Sequence, residues 1–192
     1  TAADESGRPA FSRRRGRAGT AIGRAVHATL QVVDLATGDG LADLAAQQAF
    51  AEAVPELAGM VETLARSALE SSSVRAALAG GRLWREAYVA APLGDRAVEG
   101  YVDLLHQGPD GLVIVDYKTD AVADEAAVDA KLGQYRLQLA TYAEALAVTT
   151  GLDVVAARLV FCRAGGAIER DVGDLDVARA DVRALLAGAA EG

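Results

Sequence analysis

The apolar run Leu112-Val113-Ile114-Val115 leads without a break into Asp116-Tyr117-Lys118. A short, continuous apolar run of this kind specifies a strand buried on both faces. Residues two apart on a strand share a face, so Asp116 and Lys118 project together from its end. A carboxylate and an ammonium at the end of a core strand are costly unless they are paired or hold a metal. The chain must therefore pack layers around this strand and satisfy its charged end.

The flanking sequence supplies those layers. Thr20 is a cap for a helix over about 21–35, with Ile22, Val26, Leu30 and Val33 at helical spacing. Further Ala- and Leu-rich helices are expected over about 41–53 and 55–69, the second with Pro55 in its first turn. Ser71-Ser72-Ser73 caps a short helix reaching Ala79, and Gly80-Gly81 breaks the pattern. From Leu83 the period becomes two, which predicts strands 83–90, 97–105 and 112–118 joined by turns at 93–96 and 107–111. A long helix over about 124–148, a fourth strand over 154–162 and a closing helix over 174–186 complete the chain. The expected fold is α/β (α+β): a central mixed sheet with an antiparallel three-strand meander, flanked by helices.

A chain of 192 residues suits one domain, and 52% hydrophobic residues exclude disorder over its whole length. No membrane span and no signal peptide are visible, so no membrane partner is expected. The single cysteine, Cys162, excludes an intrachain disulfide and a multi-cysteine zinc or iron–sulfur site, and a reducing cytoplasm is the natural compartment. Cys162 itself reads as a small buried hydrophobe. The sequence opens on Thr1 rather than Met and reads as a segment of something longer or as a domain expressed by itself. Net charge is −8, but residues 1–30 carry six arginines against Asp4 and Glu5, a net of +4 that leaves −12 for the rest. Residues 1–18 are therefore read as a flexible basic arm or linker, compatible either with phosphate contact or with a solvated tail, and 19–192 as the folded domain.

Several polar residues interrupt the apolar elements. His27 lies in the first helix, Glu86 on the first strand, Asp103 on the second, and Gln138 and Tyr142 are four apart on one face of the long helix. Asp103 and Asp116 sit on adjacent strands, where two close carboxylates need a cation or a shared proton. Hard oxygen ligands suit Mg²⁺ or Mn²⁺, a neutral His27 can add a ligand, and the Tyr117 carbonyl lies beside them. Lys118 is placed to orient or deprotonate a water, or to steady charge on a phosphate oxygen. Residue types and order fit hydrolysis of a phosphodiester. Trp84 and Tyr88 are expected to be packing residues, and His106 to be solvated.

Together these motifs resemble the RecB-like branch of the PD-(D/E)xK nuclease superfamily, and above all the C-terminal nuclease domains of bacterial helicase–nucleases of the RecB and AddA type. Gly23-Arg24-Ala25-Val26-His27 is similar to the family's helical Gly-x-x-x-His element, Gly100-Tyr101-Val102-Asp103 to its Gly-x-x-Asp strand, and Asp116-Tyr117-Lys118 to its Asp-x-Lys strand. Tyr135, Gln138 and Tyr142 fall on its Gln-x-x-x-Tyr helix. The resemblance covers roughly 19–163. It implies a restriction-endonuclease-like core and a Mg²⁺- or Mn²⁺-dependent deoxyribonuclease. His27, Asp103, Asp116 and Tyr117 would hold the metal, and Lys118 would be catalytic with Asp116, Asp103 and the less uniform Glu86. Tyr135, Gln138 and Tyr142 would contact a single-stranded DNA end or unwound strand. No iron–sulfur cluster is implied, because the four cysteines that hold one in some relatives are absent. A helicase region would lie in the same longer chain or in a partner protein, since no Gly-x-x-x-x-Gly-Lys-Ser/Thr loop is present. A stand-alone exonuclease and a catalytically inactive DNA-binding scaffold are the alternatives.

Overall fold

Helix α1 (Ala21–Val32) begins where the Thr20 hydroxyl accepts the Gly23 N–H, and it ends where Arg85 donates to the Leu30 and Val33 carbonyls. The computed structural model describes residues 20–94 and 96–188; the basic arm expected over 1–18 lies outside the described residues. Helices α2 (Leu41–Ala51), α3 (Ala58–Leu69) and α4 (Ser72–Ala79) follow. Pro55 opens a 3₁₀ turn, Pro55–Leu57, rather than the first turn of α3 itself. Ser71 caps α4 through the Val74 N–H, and Glu169 accepts from the Ser72 and Ser73 amides and hydroxyls.

Among the described residues five strands form one mixed sheet in the order β1-β2-β3-β4-β5: Arg82–Leu93, Arg96–Gln107, Leu112–Lys118, Val154–Phe161 and Ile168–Asp171. β1, β2 and β3 make the antiparallel meander, and β4 lies parallel to β3. A parallel neighbour needs a crossover, which α5 (Glu125–Thr150) provides. The sheet separates two apolar layers. On one side Val26, Leu30 and Val74 meet Leu104, Val115 and Val160. On the other, Leu139 and Leu146 of α5 meet Ile114, Leu159 and Phe161. Helix α6 (Leu175–Gly188) packs Ala178 and Val182 on Ala140 of α5, and its Arg179 and Arg183 both donate to the buried Glu144. Among the described residues no helix is long and apolar enough to cross a membrane.

The structure departs from expectation elsewhere too, beginning with hairpin strands that run beyond 83–90 and 97–105. Strand β5 is an addition to the expected strands, because Ile168-Glu169-Arg170-Asp171 buries only Ile168 and shows no alternation. Trp84 and Tyr88 are not packing residues: they are 42% and 57% exposed, since the helical layer does not reach their part of the hairpin. His106 is not solvated but 4% exposed, because the end of α4 at Gly80 closes over it. Neither ring nitrogen of His106 has a hydrogen-bond partner among the described residues. Burial, aided by the Arg158 charge, pushes this imidazole below its usual 6.5.

An unsatisfied buried imidazole destabilises the fold, and more so in acid. Below about pH 6.5 the unfolded chain binds the proton that folded His106 refuses, so stability falls as pH falls. The His106→Leu variant is expected to gain about 1–2 kcal/mol at pH 8. Its advantage over the parent widens as pH drops from 7 to 5. Denaturant melts of both proteins across that range check this; a constant gap would refute the buried neutral histidine.

Candidate active site

The β2–β3 ladder ends at the rung pairing Leu104 with Val115. Beyond it the strands part, and the Tyr117 N–H finds no carbonyl on β2. The Asp103 side chain replaces one: its Oδ2 accepts the Tyr117 N–H at 2.8 Å. The other oxygen, Oδ1, lies 2.9 Å from His27 Nδ1. One buried carboxylate thus ties α1, β2 and β3 together at the parting. Helix α1 can come this close because Gly23, one turn before His27, has no side chain: a Cβ there would meet Thr119 Oγ1 at 2.8 Å.

Glu86 joins the group from β1. The β1–β2 ladder pairs Arg85 with Leu104 and Ala87 with Val102, leaving out the rung where Glu86 faces Asp103. Glu86 has φ 51°, a left-handed conformation that costs a non-glycine residue about 1–2 kcal/mol. That turn of the backbone aims its carboxylate at the neighbouring donors. His27, Glu86 and Asp103 each offer a ligand atom, and these atoms all lie within 4.8 Å of one another. One imidazole and two carboxylates are a donor set for a divalent cation.

Asp116 and Lys118 approach from the other side. Leu112 and Ile114 pack toward α5, so alternation turns Asp116 and Lys118 the same way. Asp116 Oδ2 is 2.6 Å from Lys118 Nζ. Burial, and then the Asp103 charge, push the Asp116 carboxyl up to about 6, against the opposing pull of Lys118 and His27. The Lys118 ammonium also sits 4.1 Å from the centre of the Tyr135 ring, a cation–π contact. The Tyr135 hydroxyl donates to Asp120 Oδ2 at 2.8 Å, and Lys131 Nζ donates to Asp120 Oδ1 at 2.5 Å. Burial alone would raise the Asp120 carboxyl, but these two donors hold it below its usual value. Burial and the Asp120 contact hold the Tyr135 phenol well above the usual range, so it stays a hydroxyl.

Of the expected site residues, the structure groups His27, Glu86 and Asp103 as one donor cluster and Asp116 with Lys118 as an adjoining ion pair. Tyr117 contributes its backbone at the parting, while its ring is buried beneath, edge-on to His27. Tyr135 lies against Lys118. Gln138 and Tyr142 stand further along α5, joined by a 3.3 Å hydrogen bond. Tyr142 covers β2 at Gly100, where a Cβ would come within 2.6 Å of its ring. Asp120 and Lys131 lie outside the set expected from sequence. Signals for them are present there: Asp120 follows Lys118 by two residues, and Lys131 precedes Tyr135 by one helical turn. Cys162 lies under the site, 2% exposed, its thiol pushed up to about 12 by burial and then by Asp103 and Asp116, which makes it inert.

The family model described as the PD-(D/E)XK nuclease superfamily matches residues 5–192. The chain is similar to the A subunit of the ATP-dependent helicase/nuclease of Desulforudis audaxviator (strain MP104C), 36% identical over 165 residues, which is 72% of this chain and 13% of that protein. The protein of the same name from Acetivibrio thermocellus is 44% identical over 57 residues, 30% of this chain and 4% of that one. The one from Alkaliphilus oremlandii (strain OhILAs) is 40% identical over 57 residues, covering 30% and 5%. The chain thus spans a small part of the length of these relatives. A solved structure of SSO0001 aligns over 86% of this chain and 74% of its own at 14% identity, with a TM-score of 0.36.

Glu86 combines a strained backbone with a candidate donor atom, and one substitution removes both. Glu86→Gly relieves the left-handed backbone penalty. The same change removes a donor and should weaken Mn²⁺ binding at least tenfold in calorimetry. Equal Mn²⁺ affinity in the two proteins would take Glu86 out of the donor set.

Proposed function

The chain belongs to the PD-(D/E)XK nuclease superfamily, and from that footing we propose a divalent-metal-dependent deoxyribonuclease. It serves as the exonuclease module of a cytoplasmic helicase–nuclease that processes DNA double-strand breaks. One arrangement supports this reading above all. The His27, Glu86 and Asp103 donors reach the parting of β2 and β3 from the α1 side, and the Asp116–Lys118 pair reaches it from the α5 side. The relatives' shared name, which makes each of them part of an ATP-dependent helicase/nuclease, supports the coupling to a helicase region in the same longer chain or in a partner protein. The substrate is a single-stranded end or an unwound strand.

The donors fit Mg²⁺ or Mn²⁺: Asp103, Glu86 and His27 would hold it, with Asp116 and the Tyr117 carbonyl completing the set. Bound there, the ion would acidify a water and polarise the phosphodiester. The chain's own groups do the rest. Asp103, anchored by the Tyr117 N–H and His27, keeps the donors fixed before substrate arrives. Lys118 holds the attacking water by donating to its oxygen and offsets the negative charge that grows on a non-bridging phosphate oxygen. Tyr135 limits where the ammonium can go: its ring takes one face of the cation, and its hydroxyl is held by Asp120. Gln138 and Tyr142 on α5 would contact the DNA strand near the scissile phosphate.

Lys118→Ala is expected to lower Mg²⁺-dependent cleavage of linear single-stranded DNA by at least about a hundredfold, with Mn²⁺ binding retained. Undiminished cleavage by this variant would refute the catalytic assignment. Tyr135→Leu frees the ammonium without removing it. It should lower kcat about tenfold at unchanged KM, whereas Tyr135→Phe, which keeps the ring, should lose less. A KM effect alone would place Tyr135 in substrate binding instead.

A further inference from the structure

The outer half of the β1–β2 hairpin has one covered face and one open face. Val89, Ala91, Leu93 and Val102 pack toward α5. Tyr88, Ala90, Glu99 and Tyr101 alternate with them and are exposed. Tyr88 and Tyr101 are 57% and 46% exposed, and they lie across from one another in the strand register. Their ring centroids are 5.2 Å apart at an interplanar angle of 51°. The Tyr88 hydroxyl donates to Glu99 Oε2 at 2.9 Å, which fixes that ring before anything binds.

The position of the pair identifies its occupant. Tyr88 is two residues from Glu86 and Tyr101 two residues from Asp103, and the pair lies on the face turned away from α5, the side from which His27 of α1 joins the donor cluster. Two half-exposed tyrosines offer roughly 200 Å² of ring surface. That is far below the ~800 Å² per partner of a stable protein interface, but it suits a planar group the size of a nucleobase. The Glu99 carboxylate, which accepts the Tyr88 hydroxyl at the outer edge of the pair, repels a phosphate and tolerates a neutral base. A strand whose phosphate lies at the donors brings the adjacent base to these rings.

Building on the nuclease reading above, we propose that Tyr88 and Tyr101 form a stacking platform for the unpaired nucleobase next to the scissile phosphate. A base in a duplex is already stacked and paired, so the platform selects single strands. Base–aromatic stacking accepts every base, so the selection is by strandedness and not by sequence.

The test uses the whole chain, with thymidine 12-mers, a matching strand of abasic residues, and fluorescence anisotropy in calcium buffer. Tyr88→Ala and Tyr101→Ala are each expected to weaken binding of the base-bearing strand roughly tenfold. Phenylalanine at either position should leave it within about twofold, and the abasic strand should bind all variants alike. Equal loss on the abasic strand, or no loss on either strand, overturns the proposal. So does a fall in oligomeric mass on substitution without any change in DNA binding, which would make the face an interface between copies. A second measurement avoids any folding defect: irradiating the unmodified chain with 5-iodouracil-substituted strand should give adducts at Tyr88 or Tyr101, and adducts only elsewhere would overturn it. Mg²⁺-dependent cleavage of the same strand is measured alongside. Its absence would refute the nuclease reading while the abasic comparison still judges the platform.

Discussion

The Asp103 carboxylate holds the site together. Where β2 and β3 separate, a backbone N–H would otherwise be left without an acceptor in a buried place, at a cost of about 1–3 kcal/mol. Asp103 takes that N–H from Tyr117 with one oxygen and meets His27 with the other. The sheet can open there only because this side chain replaces a strand carbonyl. The opening in turn makes room for charged groups inside an otherwise apolar core. The same group that satisfies the fold is also a candidate ligand, so structure and chemistry cannot be varied independently at this position.

Around that anchor the two layers carry different parts of the candidate site. The α1 side contributes donors for a cation: His27 from the helix and Glu86 from a strand residue bent into a left-handed conformation. The α5 side contributes a cation of its own, Lys118, together with the Tyr135 ring against it, whose hydroxyl is held by the Asp120 of the Asp120–Lys131 pair. Both sides tolerate unfavourable features. Glu86 is strained, and Asp116 is a buried carboxylate whose ionised form the surroundings resist. Such features persist only when neighbouring structure determines them, and here the apolar contacts above and below the sheet do so. The glycines at 23 and 100 serve the same end: each removes a side chain where a helix must lie close against the site strands.

Much of the fold is legible in the chain because its elements follow simple periods. β3 can be read to the residue, since a strand buried on both faces leaves a continuous apolar run. The hairpin is recognisable but runs longer than expected, because its outer turns carry polar and small residues on an open face that alternation cannot distinguish from loop. β5 leaves no signal, because a four-residue edge strand with one buried side chain has no period to detect. Nearness to a turn suggests solvent around His106, yet that turn lies beneath the end of α4. The contact joins distant segments, and no local pattern encodes it. Residue type alone suggests a core position for Trp84 and Tyr88, and residue type says nothing about how far a neighbouring layer extends.

By itself the sequence determined which residues could carry the chemistry, and the order of elements that would present them. Periodicity fixes helix and strand, and the ends of periodic segments fix where Asp116, Lys118, Asp103 and His27 fall on those elements. Only the tertiary structure decided how these groups divide between them. It set Glu86 with His27 and Asp103, paired Asp116 with Lys118, and brought Tyr135, held by Asp120, against the amine. The reason is geometric. Such groupings depend on where two strands separate and on how closely two helices approach, and those distances are set by packing between residues far apart in the chain.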